Sequence, residues 1–221
     1  MTEPIKIMDA IKINEIFFSI QGESTWAGVP TAFVRTTACN LRCNYCDTTY
    51  SFYEGQMLSI DEIIEKIESY GADYVCVTGG EPLLQKSVLK LMTRLCDMGL
   101  KVSLETNGSI SCKNVDPRVK IVIDVKTPDS GAPHSFEVEN LKLLNVNSEF
   151  KFVICSEKDF DWAENFVKTQ DLTRRFSVLY SASFKKTSEK WLAEKILMSK
   201  SKVRLQLALH KYIWNESIRG V

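Results

Sequence analysis

The chain alternates short extended stretches with amphipathic helical ones, and this rhythm limits its fold more than any other feature. The predicted strands are Ile13–Ile20, Thr31–Thr37, Tyr74–Thr78, Lys101–Glu105, Val119–Val125, Glu149–Ile154, Phe176–Tyr180 and Val203–Leu209. The predicted helices run from Ser59 to Gly71, from Pro82 to Met98, through Phe160 and Val167, and over Ser188–Met198. Strands that alternate with helices indicate βα units on a parallel sheet. We therefore predict an α/β fold, a partial TIM-like (β/α) barrel with its helices outside.

Length and charge narrow the class of protein. A chain of 221 residues suits one domain, 1–221, because roughly 100–200 residues per domain is usual. Lys+Arg and Asp+Glu both number 28, which argues against direct nucleic-acid binding through phosphate neutralisation. No apolar run approaches the roughly 20 residues of a membrane span, and the first residues lack the pattern of a secretory signal. We therefore expect a cytoplasmic protein with neither nucleic acid nor membrane as partner.

Polar motifs follow five of the predicted strands. They begin at Cys39 (CNLRCNYC), Thr78 (TGGE), Glu105 (ETN), Asp124 (DVK) and Ser181 (SAS). The carboxyl ends of parallel strands meet at one edge of a sheet, where α/β proteins bind ligands. The pattern therefore predicts one shared site. The alternative is that these motifs are polar only because strand ends are turns.

Cys39, Cys43 and Cys46 have the spacing C-x3-C-x2-C on one short loop. Four-iron clusters normally take four cysteine ligands, and the next cysteine, Cys76, lies inside a predicted strand. The loop therefore predicts an iron–sulfur cluster with one iron left open for a ligand. The alternative is a structural zinc site, although zinc prefers paired C-x2-C units or Cys/His sets, and both histidines lie far along the sequence.

The cysteine spacing, with Tyr45 before the third cysteine and GGEP after the next strand, resembles the radical S-adenosylmethionine (radical SAM) superfamily. That resemblance implies a [4Fe–4S] cluster whose open iron is chelated by the methionine end of S-adenosylmethionine. Longer segments resemble one branch, the 7-carboxy-7-deazaguanine synthases of queuosine biosynthesis. They are EIFFSIQGE, FVRTTACNLRCNYCDTTYS, VTGGEP, LETNG, IDVKTPDSG and HKYIW.

The branch implies a reaction and partners. Its members are lyases that convert 6-carboxy-5,6,7,8-tetrahydropterin into 7-carboxy-7-deazaguanine with loss of ammonia. S-adenosylmethionine serves catalytically, because the 5′-deoxyadenosyl radical takes a hydrogen from the substrate and later recovers it. The resemblance also implies Mg²⁺, an electron donor such as flavodoxin or ferredoxin, and a homodimer.

The resemblance implies three sets of site residues, none of them a catalytic side chain, since the radical comes from S-adenosylmethionine. The metal ligands are Cys39, Cys43 and Cys46 for the cluster and Thr48 for Mg²⁺. The substrate-binding residues are Ile20, Gln21, Gly22, Arg35, Thr78, Glu105, His210 and Val221. The cofactor-binding residues are Tyr45, Cys46, Asp47, Gly79, Gly80, Glu81, Asn107, Asp124, Val125, Lys126, Tyr180, Ser181 and Ser183.

Other branches carry Ser-Pro-Lys where this chain has Asp124-Val125-Lys126. We therefore expect the first two of these residues to act through their backbone. The first predicted strand, 13–20, and the tail, 209–221, are expected to be extensions that close the site.

Two other functions fit part of the pattern. A glycyl-radical-enzyme activase would share the cluster motif and GGEP, but the QGE and CDT segments argue against it. A non-enzymatic zinc-binding module would share only the cysteines.

Overall fold

A computed structural model describes residues 9–214 and 219–221. Its strands are β1 Ala10–Ile20, β2 Pro30–Thr36, β3 Gln56–Ser59, β4 Tyr74–Gly79, β5 Lys101–Thr106, β6 Lys120–Val125, β7 Glu149–Ile154, β8 Ser177–Ala182 and β9 Arg204–Gln206. They form one sheet in the order β3-β1-β2-β4-β5-β6-β7-β8-β9. From β2 to β9 every neighbouring pair is parallel, whereas β1 is antiparallel to both β2 and β3. Because β3 and β9 lie at opposite edges, the barrel is incomplete, as predicted.

The helices are α1 Ile60–Glu68, α2 Ser87–Asp97, α3 Glu157–Thr169, α4 Leu172–Arg175, α5 Glu189–Ser199 and α6 His210–Ile213. α1 shows why they form where they do. Ser59 and Glu62 make a reciprocal capping box at its start, and the isoleucines at one-face spacing are buried. The main apolar core lies between such helix faces and the outer face of the sheet.

Two predicted elements are shorter in the structure. The helix predicted from Pro82 is a single 3₁₀ turn, Pro82–Leu84, and α2 begins only after Gln85, which is extended. The Gln85 side chain accepts a hydrogen bond from the backbone N–H of Lys12 at 2.7 Å and donates to the carbonyl of Lys12 at 3.0 Å. This tie to β1 holds Gln85 out of the helix.

The last strand is also shorter than predicted. β9 ends at Gln206, and the Leu209 N–H donates to the carbonyl of Gly22 at 3.0 Å. The chain therefore turns toward the loop after β1 and forms the short helix α6. The edge strand β3 was not predicted, because it has only four residues and the first two, Gln56 and Met57, are exposed.

The predicted extensions are partly described. β1 is longer than the predicted strand 13–20 and forms part of the sheet. Part of the tail 209–221, and the start of the predicted domain 1–221, lie outside the described residues. Within the described ranges, no helix is long and apolar enough to cross a bilayer.

Candidate active site

A cavity of about 500 Å³ lies at the carboxyl ends of the parallel strands. It brings together all but three of the predicted site residues. Those that line it are Ile20, Gln21, Gly22, Arg35, Cys39, Cys43, Tyr45, Cys46, Asp47, Thr48, Thr78, Gly79, Gly80, Glu105, Asn107, Asp124, Lys126, Ser181, Ser183, His210 and Val221. The three that do not are Glu81, Val125 and Tyr180.

The cysteine loop between β2 and the next turn forms one wall of the cavity. It is fixed to the loop after β6, since the Asn44 N–H donates to the carbonyl of Ser130 at 2.8 Å. Burial raises the pKa of the Cys39 and Cys43 thiols. Thiolates at these positions therefore need a metal or another positive charge to stabilise them.

Gly79 and Gly80 allow the end of β4 to touch the cysteine loop. Gly79 has a φ of +143°, and a Cβ atom there would lie 2.4 Å from the carbonyl oxygen of Thr36. A Cβ atom on Gly80 would lie 2.0 Å from the carbonyl oxygen of Ala38. Backbone packing against the cysteine loop therefore requires glycine at both positions. This requirement is separate from any close approach of the backbone to a ligand.

Glu81 lies behind the cavity wall and is fully buried. Its carboxylate accepts hydrogen bonds from the N–H of Asn107 at 2.8 Å, the hydroxyl of Thr106 at 2.8 Å and the N–H of Leu83 at 3.0 Å. Burial raises the pKa of Glu81. In the structure the carboxylate fixes Asn107, which lines the cavity, and its direct contact with the cofactor stays a prediction.

The donor set fits a four-iron cluster with an open iron. Cys39, Cys43 and Cys46 are all free thiols, and they are the cysteines among the described residues that line the cavity. No three His, Cys, Asp or Glu side chains within the described ranges are grouped to hold a single metal ion. In a four-iron cluster each of the three thiolates can bind a different iron, which leaves the fourth iron without a protein ligand.

Tyr45 and Lys126 lie beside this wall. The Tyr45 hydroxyl is buried without a hydrogen-bond partner among the described residues, and burial raises its pKa. The Lys126 ammonium lies 5.4 Å from the centroid of the Tyr45 ring. An orphaned buried hydroxyl beside the thiols is a donor that a bound cofactor could satisfy.

A second wall is formed by β1, β2, β4 and β5. The Arg35 Nε–H donates to the Glu15 carboxylate at 2.6 Å, and the Tyr50 hydroxyl donates to the same oxygen at 2.9 Å. Thr78 donates its hydroxyl to the Glu105 carboxylate at 2.9 Å. This wall thus offers a guanidinium and, next to it, a carboxylate.

A third wall joins the loop after β1 to α6. A Cβ atom on Gly22 would lie 2.2 Å from the Nδ1 atom of His210, so glycine is needed for this contact. Burial lowers the pKa of His210, which favours the neutral imidazole. Lys211 forms an ion pair with Asp47 at 2.8 Å and so ties α6 to the cysteine loop.

The C-terminal residues lie at the mouth of the cavity. The Arg219 guanidinium pairs with Glu54 at 2.8 Å and lies 3.8 Å from the centroid of the Tyr50 ring. Val221 lines the cavity, and closure of the site by the terminal region stays a prediction. Thr48, the predicted Mg²⁺ ligand, also lines the cavity.

Tyr180 and Val125 point away from the cavity because successive side chains of a strand face opposite sides of the sheet. Tyr180 is fully buried in the main core and donates to the Glu164 carboxylate on α3 at 2.8 Å. Its neighbour Ser181 faces the cavity instead. Val125 packs in the same core, so a contact between Val125 and a cofactor would have to be made through its backbone.

Replacing Tyr180 with phenylalanine tests whether its hydroxyl stabilises the core or contacts the cofactor. We expect Tyr180→Phe to lower the free energy of unfolding by about 1 kcal/mol, because one buried hydrogen bond is lost, and to leave the KM for S-adenosylmethionine unchanged. Ser181→Ala is the matched variant, and it should raise that KM without a comparable loss of stability. A raised KM in Tyr180→Phe would instead place its hydroxyl at the cofactor.

Sequence reasoning missed several residues of the cavity. Phe17 and Phe33 stack with their centroids 4.8 Å apart and form an apolar floor. Glu23 and Lys151 add a mostly buried ion pair with a length of 2.5 Å. The signal for Lys151 was present, since a lysine between two phenylalanines in a strand places a charge on the face opposite the apolar core.

Comparisons with known proteins define the class of this domain. A model of the radical SAM superfamily matches residues 33–148. The crystal structure of QueE from Escherichia coli has the same fold, with a TM-score of 0.74 and 22% identity over 89% of this chain and 92% of that one.

Curated relatives are more specific. A 7-carboxy-7-deazaguanine synthase of Chlorobaculum tepidum is 44% identical over 96% of this chain and 97% of its own length. One from Thermoplasma acidophilum is 37% identical over 92% and 97%, respectively. The chain therefore belongs to the radical SAM superfamily and, within it, to the family of the 7-carboxy-7-deazaguanine synthases. The activase and zinc-module alternatives are not favoured by these relatives.

Proposed function

We propose that the chain converts 6-carboxy-5,6,7,8-tetrahydropterin into 7-carboxy-7-deazaguanine with loss of ammonia. The observation that carries this proposal is a single cavity with thiols on one wall and a guanidinium beside a carboxylate on another. Membership of the synthase family supports it. When bound, the [4Fe–4S] cluster and S-adenosylmethionine supply the radical that removes a hydrogen atom from the substrate.

The wall around Arg35 suits the two polar ends of such a substrate. Glu15 takes the Nε–H of Arg35, so the terminal amino groups are the donors that can meet the substrate carboxylate. Glu105 also faces the cavity. Its carboxylate can accept hydrogen bonds from the aminopyrimidine edge of the substrate. The apolar floor of Phe17 and Phe33 lies beside a flat ring bound in this way.

The wall formed by the cysteine loop suits the cofactors. Cys39, Cys43 and Cys46 would hold the cluster, and Tyr45 with the segment 124–126 would border S-adenosylmethionine. Thr48 would hold Mg²⁺ together with water and a substrate oxygen, since Mg²⁺ commonly keeps few protein ligands. The walls enclose the ligands on several sides, which excludes water from a reactive radical.

Partners and location complete the proposal. An electron donor such as flavodoxin or ferredoxin would reduce the cluster, and the chain would act as a homodimer. A cytoplasmic location suits the three free thiols of the cysteine loop, because that compartment keeps thiols reduced.

Anaerobic turnover tests the proposed function. The reconstituted protein is incubated with S-adenosylmethionine, reductant, Mg²⁺ and the carboxy-tetrahydropterin, and products are followed by mass spectrometry. We expect several equivalents of 7-carboxy-7-deazaguanine per equivalent of S-adenosylmethionine. Tetrahydropterin without the carboxylate is the matched control and should react poorly. An intact cluster that cleaves S-adenosylmethionine without a deazaguanine product would contradict the substrate assignment and leave the superfamily standing.

A further inference from the structure

β7 carries a charged side chain on the inner face of the barrel. Phe150, Phe152 and Ile154 are fully buried in the main core, whereas Lys151 and Val153 face the cavity. The Lys151 side chain is only 13% exposed. An ammonium group this far from water is costly unless anions pair with it, so its partners explain why a lysine can occupy this position.

Two carboxylates pair with Lys151. Its Nζ atom lies 2.5 Å from Glu23 and 3.2 Å from Asp124, and the other oxygen of Asp124 lies 2.9 Å from the Lys126 ammonium. Burial opposes the charge of Lys151, but the two carboxylates outweigh it and raise its pKa well above the usual value. The result is a line of alternating charges, Glu23–Lys151–Asp124–Lys126, which we call the charge bridge.

The two ends of the charge bridge belong to different parts of the site. Glu23 directly follows Gln21 and Gly22, which are predicted to contact the substrate. Asp124 and Lys126 belong to the segment that is predicted to contact S-adenosylmethionine. Lys151 is the member of the bridge that contacts both a substrate-side and a cofactor-side carboxylate.

We propose that Lys151 is a positioning residue that sets the separation between the substrate and S-adenosylmethionine. This inference rests on the proposed function. Hydrogen transfer between two bound molecules needs the reacting atoms about 3–3.5 Å apart, and a misplacement of about 1 Å can cost about 100-fold in rate. A buried ammonium held between two carboxylates resists such a shift, since moving either loop would leave a charge unpaired.

The first measurement is the ratio of released 5′-deoxyadenosine to deazaguanine product. A substrate held at the wrong distance lets S-adenosylmethionine be cleaved without productive hydrogen transfer. We expect Lys151→Met to raise this ratio about tenfold or more. Lys151→Arg keeps a cation that can pair with both carboxylates, so it should return the ratio toward the wild-type value.

The second measurement does not depend on turnover. Calorimetry on the protein with its cluster left unreduced gives the affinity for the carboxy-tetrahydropterin with and without S-adenosylmethionine. We expect S-adenosylmethionine to tighten pterin binding about fivefold or more in the wild type, a usual size for coupling between two sites. This tightening of pterin binding by S-adenosylmethionine should nearly vanish in Lys151→Met and persist in Lys151→Arg.

Lys195→Met is the matched control, because it removes a lysine that pairs with Glu157 on the outer helices, outside the cavity lining. It should change neither measurement. A wild-type ratio and a wild-type effect of S-adenosylmethionine in a folded Lys151→Met would overturn the inference.

Two further outcomes are a Lys151→Met variant that does not fold and a wild type that is inactive. If Lys151→Met does not fold, Glu23→Gln removes one charge of the bridge with little change in shape, and a wild-type ratio in that variant would equally overturn the inference. If the wild type neither binds the pterin nor forms product, the proposed function fails instead. The two failures are therefore distinguishable.

Discussion

Replacing Cys43 with alanine is expected to abolish deazaguanine formation and the cleavage of S-adenosylmethionine. Cys43 is one of three thiols that line the cavity, and a cluster that already lacks a fourth cysteine cannot spare another ligand. Enzymes commonly supply rate accelerations of about 10⁶-fold or more, so losing the group that carries the chemistry leaves no measurable rate. Iron content and the visible absorption of the anaerobically reconstituted protein report the loss directly.

The fold should survive this change. Cys43 is half-buried in a loop rather than in the core, so the free energy of unfolding of the cluster-free protein should change by about 1 kcal/mol or less. Cys155→Ala is the matched control, because Cys155 is a half-buried cysteine outside the cavity lining. Full iron content in Cys43→Ala, or an equal loss in Cys155→Ala, would contradict the assignment of the cluster ligands.

The strand–helix rhythm was sufficient to predict the parallel part of the sheet, because buried parallel strands are continuous apolar runs and their helices show one-face spacing. Contacts between segments that are far apart in the sequence account for the differences between the predicted and the observed elements. Gln85 interrupts a helix because its amide binds the backbone of Lys12, and no pattern around Gln85 reveals that partner.

The position of the site was predictable because the carboxyl ends of parallel strands lie at the same edge of the sheet. Its residues were found from motifs, and strand alternation explains why Ser181 reaches the cavity and Tyr180 does not. Glu81 shows a different limit. Its motif predicts a contact with the cofactor, but nothing in the motif reveals that the same carboxylate accepts hydrogen bonds from Asn107 and Thr106.

Lysine in place of Arg35 is expected to lower kcat/KM for the carboxy-tetrahydropterin about 100-fold. Arg35 is mostly buried and shares its Nε–H with Glu15, which fixes the plane of the guanidinium toward the cavity. A lysine keeps the charge but cannot form a bidentate pair with a carboxylate. The loss of one to two charge-assisted hydrogen bonds costs about 3 kcal/mol, which corresponds to about 100-fold.

The substrate itself provides the sharpest control for Arg35→Lys. With tetrahydropterin lacking the carboxylate, wild type and variant should differ little in binding, because the interaction that the variant loses is absent in both. Arg118→Lys is the matched variant, since Arg118 forms its ion pairs with Asp97 and Asp116 away from the cavity, and it should behave as wild type. Equal losses with both pterins would show that Arg35 supports the pocket through Glu15 and Tyr50 and does not bind the carboxylate.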